Sequence, residues 1–186
     1  MSRDELMVAQ LREVFTATPV DLCLDHDDSE RFYILEDDAS GKSIIEEDLT
    51  PKDGFLIINP HQKTVYLLAT DNCFLEHLNQ YEGRQCDCVV FDDRCFCFVE
   101  LKLNVFKPRQ ATKRLREARE QLGNVIEFFR ETFDNASRDF LGFELEAYVV
   151  MRPTVYPKSR AGRMSVFVEF LDTYGVKLLE RDFKKM

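Results

Sequence analysis

The sequence predicts an α/β or α+β fold: a central mixed sheet flanked by helices, preceded by an acidic, β-containing N-terminal extension. Three observations predict it. Residues 86–151 read in the order strand, strand, helix, strand, which suits layers built around one sheet. Residues 109–133 carry the longest helical pattern in the chain, with Leu115, Ala118, Leu122, Val125, Ile126 and Phe129 on one stripe at three-to-four spacing. The charge is also unevenly distributed. Residues 1–55 hold 15 acidic and 5 basic side chains, and the remaining 131 residues hold 19 and 20, so an overall charge of −9 conceals a nearly neutral remainder that can carry a basic face. A length of 186 residues with 45% hydrophobic side chains fits one compact unit. Within it we distinguish an extension over 1–60 and a core over 61–186.

The elements follow in order. Residues 3–15 read as an amphipathic helix, with Leu6, Val8, Leu11 and Val14 among charges and Thr18-Pro19 as the stop. Short strands are expected at 31–36 and 43–47, separated by Ala39-Ser40-Gly41-Lys42. Phe55–Ile58 and Thr64–Ala69, joined around Asn59-Pro60, read as a hairpin. Asp71 or Asn72 is placed to cap a short helix through Leu78. Strands at 86–91 and 95–103 flank Asp92-Asp93, which suits a tight turn. A strand at 143–151, a loop over 152–163 and a strand at 164–170 complete the core, and the tail over 174–183 fits no single pattern. No run of ~18 apolar residues is present, and the charged start Met-Ser-Arg-Asp-Glu-Leu is unlike a secretory signal. These features lead us to expect a cytoplasmic protein without membrane contact, with its six cysteines as thiols.

The hairpin carries the chemistry. With Asp92-Asp93 as the turn, Phe91 faces Arg94, Val89 faces Phe96 and Asp87 faces Phe98. Alternation then puts Asp87, Glu100 and Lys102 on one face of the sheet, with Glu100 diagonal to Asp87. Two carboxylates fix a hard cation without saturating it, and the Leu101 carbonyl can add a third oxygen. Such an ion lowers the pKa of a bound water and neutralises charge on a phosphoryl oxygen, while a nearby lysine orients the water. Apolar side chains on both faces of the hairpin predict a central position, where carboxylates need a partner or a metal. The competing reading makes all three residues structural charges on a half-exposed strand.

Cys86-Asp87 followed by Val99-Glu100-Leu101-Lys102 resembles the PD-(D/E)xK nuclease superfamily over roughly residues 71–151. The resemblance implies a restriction-endonuclease-like fold in the order αβββαβ. It implies Asp87 and Glu100 as ligands of Mg²⁺ or Mn²⁺ and Lys102 as the catalytic lysine. Ala118-x-x-Gln121-Leu122 matches the helical glutamine common in the superfamily, and Glu76 or Glu82 is the candidate for its upstream helical glutamate. Cys86 departs from the pattern by standing in the proline position. DNA is the implied substrate, with RNA as a second, and a homodimer would suit an enzyme that cuts both strands. Two further readings stay open: a catalytically silent member of the fold that binds nucleic acid or protein, and an unrelated α+β interaction protein.

Other groupings bear on function. Residues 102–119 contain Lys102, Lys107, Arg109, Lys113, Arg114, Arg116 and Arg119 against one acid, Glu117. The loop over 152–163 contains Arg152, Lys158, Arg160 and Arg163 with no acid, and its Tyr156 can stack on a base. Both stretches suit a phosphate backbone, although solvated helix bases pairing with acids are the common alternative. Cys86, Cys88, Cys95 and Cys97 are expected on the face opposite Asp87, with Cys88 facing Cys97. We read them as core thiols, against a zinc site or a cross-strand disulfide. The three histidines are scattered, and neither a nucleophile elbow nor a phosphate-binding glycine loop is present.

Overall fold

The structure, a computed structural model, describes the chain except residues 17–18, 49, 51–52, 79–80, 82, 153 and 155–163, and except the side chains of 108 and 109. It is the mixed α/β arrangement expected, with strands in two mixed sheets flanked by helices. The helices are α1 (Arg3–Val14), α2 (Val20–Cys23), α3 (Pro108–Asn135) and α4 (Met164–Tyr174). The strands are β1 (Leu24–Asp27), β2 (Arg31–Glu36), β3 (Ser43–Glu46), β4 (Phe55–Ile58), β5 (Val65–Ala69), β6 (Cys88–Phe91), β7 (Cys95–Leu101), β8 (Glu144–Val150), β9 (Lys177–Glu180) and β10 (Phe183–Lys185). The six-stranded sheet has the order β1-β5-β6-β7-β8-β9 and the four-stranded sheet the order β10-β4-β2-β3.

Two cores result. The buried stripe of α3, with α1 and Phe74, covers one face of the six-stranded sheet and packs there on Phe96 and Phe98. The other face packs on the inner face of the four-stranded sheet through Phe32, Ile34, Phe55, Ile57, Cys97, Val99 and Tyr148. Strand β7 is buried along its whole length between antiparallel β6 and parallel β8, which agrees with the central position expected of it. Strand pairing crosses position 60 in both directions: β1 joins β5, and β10 from the C-terminus joins β4.

Three elements differ from expectation for physical reasons. Strands β4 and β5 do not form a hairpin. Buried Asn59 turns the chain from one sheet into the other, donating to the Ser29 and Lys63 carbonyls and accepting from the Lys63 amide. Residues 164–170 are helical rather than extended. Phe167, Phe170 and Tyr174 lie at helical spacing against the helix-side core, and α3 accepts Tyr174 because residue 123 is glycine. A Cβ there would sit 2.4 Å from the Tyr174 ring. The helix expected from Asp71 or Asn72 through Leu78 is replaced by turns over 70–77, in which Asn72 takes a φ of 53°. Among the described residues no helix is long and apolar enough to cross a membrane.

Candidate active site

The β6–β7 hairpin places the site, and its turn is Asp93-Arg94 rather than Asp92-Asp93. The buried Asp92 carboxylate accepts from the amides of Arg94 and Cys95, and the Asp92 amide bonds the Cys95 carbonyl. Asp92 therefore anchors the turn and Asp93 occupies its tip, paired at 2.7 Å with Lys63. The register moves by two residues: Phe91 faces Phe96, Val89 faces Phe98 and Cys88 faces Val99. An even shift preserves the faces. Continued one step, it sets Asp87 directly opposite Glu100 instead of diagonal to it. The chain bends at Asp87, and that bend turns Cys86 onto the helix side, while Cys88, Cys95 and Cys97 face the other core. The four free sulfurs thus divide between two cores, and Cys88 opposes Val99, not Cys97. Cys23 and Cys73 form a disulfide, correcting the expectation of six thiols.

The site contains a buried acid beside a lysine. Glu100 is 1% exposed. Its Oε1 accepts from Lys102 Nζ, and its Oε2 is buried with no hydrogen-bond partner. Lys102 Nζ also donates to Gln121 Oε1 at 2.8 Å, and Gln121 Nε2 donates to the Gln85 carbonyl at 2.6 Å. Gln121 projects from the middle of α3, so the helix that covers the core also holds the lysine. Asp87 is half-buried and accepts from the Leu101 amide. Burial pushes the Asp87 carboxyl up to about 7 against the lowering effects of the Leu101 amide and Lys102. Burial, and then the Asp87 charge, hold Glu100 well above the usual carboxylate range. The Cys86 thiol is raised by burial and by Glu100.

A third acid was not assigned to the site from sequence. Asp71, read there only as a helix cap, lies in the turn after β5, and its charge raises both Asp87 and Glu100. Its own carboxyl is raised by burial, with Glu76 adding to the shift and the Asn72 amide and Lys102 opposing it. The signal for it is the β5–β6 pairing: Ala69 opposes Cys88, so an acid two positions past Ala69 falls beside Asp87. The Thr70 and Asp71 amides both donate to the Asp87 carbonyl.

The remaining candidates are more dispersed. Glu76 is exposed in the turn Leu75–His77 and acts on Asp71 rather than on the two central carboxylates. Lys107 is exposed at the start of α3. Lys113 is exposed and lies 3.7 Å from Glu117. Arg152 pairs with Asp53 at 2.7 Å and lies 4.2 Å over the Phe106 ring. Arg109 belongs to the first turn of α3, its side chain outside the described residues. Tyr156, Lys158, Arg160, Arg163 and Glu82 also lie outside the described residues.

Hard oxygen donors and one unpartnered buried carboxylate oxygen fit a divalent cation such as Mg²⁺ or Mn²⁺, which keeps several waters when only two carboxylates bind it. Among the described residues no group of three or more histidine, cysteine, aspartate or glutamate side chains is arranged to hold a metal ion. No protein-family model, curated protein or solved structure matches the chain.

Proposed function

We propose that the chain is a metal-dependent nuclease of the restriction-endonuclease-like kind, hydrolysing phosphodiester bonds in DNA. The observation that carries this reading is the unpartnered Oε2 of buried Glu100 beside Asp87. A carboxylate oxygen without a donor is costly in an apolar core unless a cation or proton meets it. Asp87 and Glu100 would hold Mg²⁺ or Mn²⁺, and the bound ion would supply Lewis acidity toward a phosphoryl oxygen and its attacking water. Lys102 is fixed between Glu100 and Gln121, so its ammonium can hold that water or stabilise charge growing on the phosphate. Gln121, anchored on the Gln85 carbonyl, orients the lysine and touches no substrate. Lys107, Lys113 and Arg152 would hold phosphates, Lys113 and Arg152 by exchanging Glu117 and Asp53 for them.

A second reading, a silent protein of the same layout that binds nucleic acid, is favoured by the occupied oxygens. Leu101 engages Asp87, and Lys102 engages the other oxygen of Glu100. Nicking of a supercoiled plasmid with Mg²⁺ or Mn²⁺ separates the two. Metal-dependent nicking that falls at least ~100-fold in Lys102→Ala supports the enzyme, a loss in the range seen when one transition-state donor is removed. Equal nicking by wild type and Lys102→Ala would mark a contaminant and sink the enzymatic reading.

A further inference from the structure

The four-stranded sheet has an outer face that neither core uses. Phe32, Ile34, Phe55 and Ile57 point inward, so alternation turns Arg31, Tyr33, Leu56 and Ile58 outward. On β10, Lys184 points inward to Glu146, which turns Phe183 and Lys185 outward. The register then builds two rows across β2, β4 and β10: Tyr33, Leu56 and Phe183 in one, Arg31, Ile58 and Lys185 in the next. Phe183 is 43% exposed, and Arg31 and Lys185 are exposed. A cleft of about 410 Å³ opens over this face, lined by Tyr33, Phe183 and Arg152 among others.

We propose that this face is a stacking platform for a single-stranded segment of nucleic acid. Two rings on strands two apart stand roughly 10 Å from each other, twice the strand spacing; Arg181 lies 5.7 Å over the Phe183 ring, so a base would stack on the other face or displace that guanidinium. Base–aromatic stacking tolerates any sequence because every base has a π-face, and flanking cations track the backbone. Arg31 and Lys185 form such a flank one row away from the rings, on the side where a phosphate chain would run, whereas Glu46 beside Tyr33 and Asp53 and Asp182 in the cleft bound the platform. The cleft reaches the end of the strand pair that carries Lys102. Arg152, in the cleft wall, follows β8, and Lys102 donates its amide to Val150 at the end of that same strand. Arg152, stacked on Phe106, thus stands between the end of β7 and the cleft that holds Tyr33 and Phe183. The inference rests on the nuclease reading for its choice of ligand and narrows the substrate to single-stranded nucleic acid.

Fluorescence anisotropy with a labelled oligothymidylate and a duplex of equal length, in EDTA so that cleavage is silent, tests the platform. The single strand should bind more tightly than the duplex. Phe183→Ala and Tyr33→Ala should each weaken it roughly 5- to 150-fold, the equivalent of one lost stack, and Phe183→Tyr should restore most of the affinity. Equal affinity for duplex, or alanine variants that bind as wild type, overturns the platform while plasmid nicking still decides the nuclease reading. Single-strand binding that follows this pattern without any metal-dependent nicking keeps the platform and overturns the nuclease. Absence of oligonucleotide binding, with self-association that Phe183→Ala abolishes, assigns the face to a second copy of the chain and overturns the proposal.

Discussion

Two buried acid–base clusters lie on opposite faces of the six-stranded sheet, built from the same residue types and set to opposite electrostatic outcomes. On the side of the four-stranded sheet, Glu146 Oε2 accepts from Lys184 at 2.5 Å and from the Tyr148 hydroxyl at 2.7 Å, and Oε1 lies 3.8 Å from Lys177. Burial acts to raise the Glu146 carboxyl, but the Lys184 and Tyr148 hydrogen bonds outweigh it and hold it below the usual range. On the helix side, Glu100 has one lysine, one unpartnered oxygen and a second carboxylate across the strand, and its carboxyl is driven upward. A glutamate placed for structure acquires enough donors to stay ionised. A glutamate left short of donors next to another acid raises the free energy of the empty site, and a bound cation would lower it.

The largest test of this contrast is stability. Glu146→Gln leaves Lys184 buried without its counter-charge and should cost about 3–5 kcal/mol in urea unfolding, the range for breaking a buried pair. Glu100→Gln should change stability by less than about 1 kcal/mol or raise it, because the amide keeps the Lys102 contact and removes a charge facing Asp87. Equal losses in the two variants would erase the distinction. The next effect is ligand linkage. At a hundred times its dissociation constant, Mg²⁺ should stabilise the wild-type protein by about 2.7 kcal/mol, read as a rise in Tm. Glu100→Gln should lose that rise and Lys177→Ala, at the rim of the other cluster, should keep it. A Mg²⁺ shift that survives Glu100→Gln would place the ion elsewhere.

The pH dependence separates the clusters in a further way. Glu146 is lowered on folding, so its contribution is fully present above the ordinary glutamate range and is lost as pH falls through its folded value. Replacing Glu146 with Gln should make the acid limb of the stability–pH curve shallower, as read from urea midpoints across pH 3–6. An unchanged acid limb would show that the Lys184 and Tyr148 bonds do not hold the carboxylate in solution.

Much of the helix-side cluster was legible in the sequence, because β alternation is insensitive to a register error of two. The turn was misplaced by one residue, since Asp92 looks like any turn-tip aspartate until its carboxylate is seen capping two amides, yet Asp87, Glu100 and Lys102 kept a common face. The α3 stripe followed from helical period, whereas Gln121 came from the resemblance of Ala118-x-x-Gln121-Leu122 to the superfamily's helical glutamine. Asp71 was missed as a site residue because its place depends on the β5–β6 pairing, a contact between strands joined by a long connection. The other cluster was illegible for the same reason: Glu146 and Lys184 meet only after β10 pairs with β4, and nothing local to Phe183–Lys185 announces that pairing. Helix α4 was hidden by composition. Its Val, Phe, Thr and Tyr content favours strand by propensity, and only packing against Gly123 and the helix-side core selects the helical spacing.

The smallest expected effect lies on neither buried cluster but on the exposed flank of α3, where Glu117 accepts from Arg114 at 2.8 Å and lies 3.7 Å from Lys113. The carboxyl is held below its usual range chiefly by the Arg114 hydrogen bond, but water and salt screen the pair, so Glu117→Gln should leave the denaturation midpoint where it is. The same substitution releases two cations on the helix that follows Lys102. If these cations meet a phosphate backbone, the variant should bind DNA more tightly than wild type, with a steeper loss of affinity as salt rises, because more counterions are displaced per complex. Unchanged affinity together with an unchanged salt slope would remove this face of α3 from the nucleic-acid path and leave backbone contacts to Arg152 and the residues beyond it.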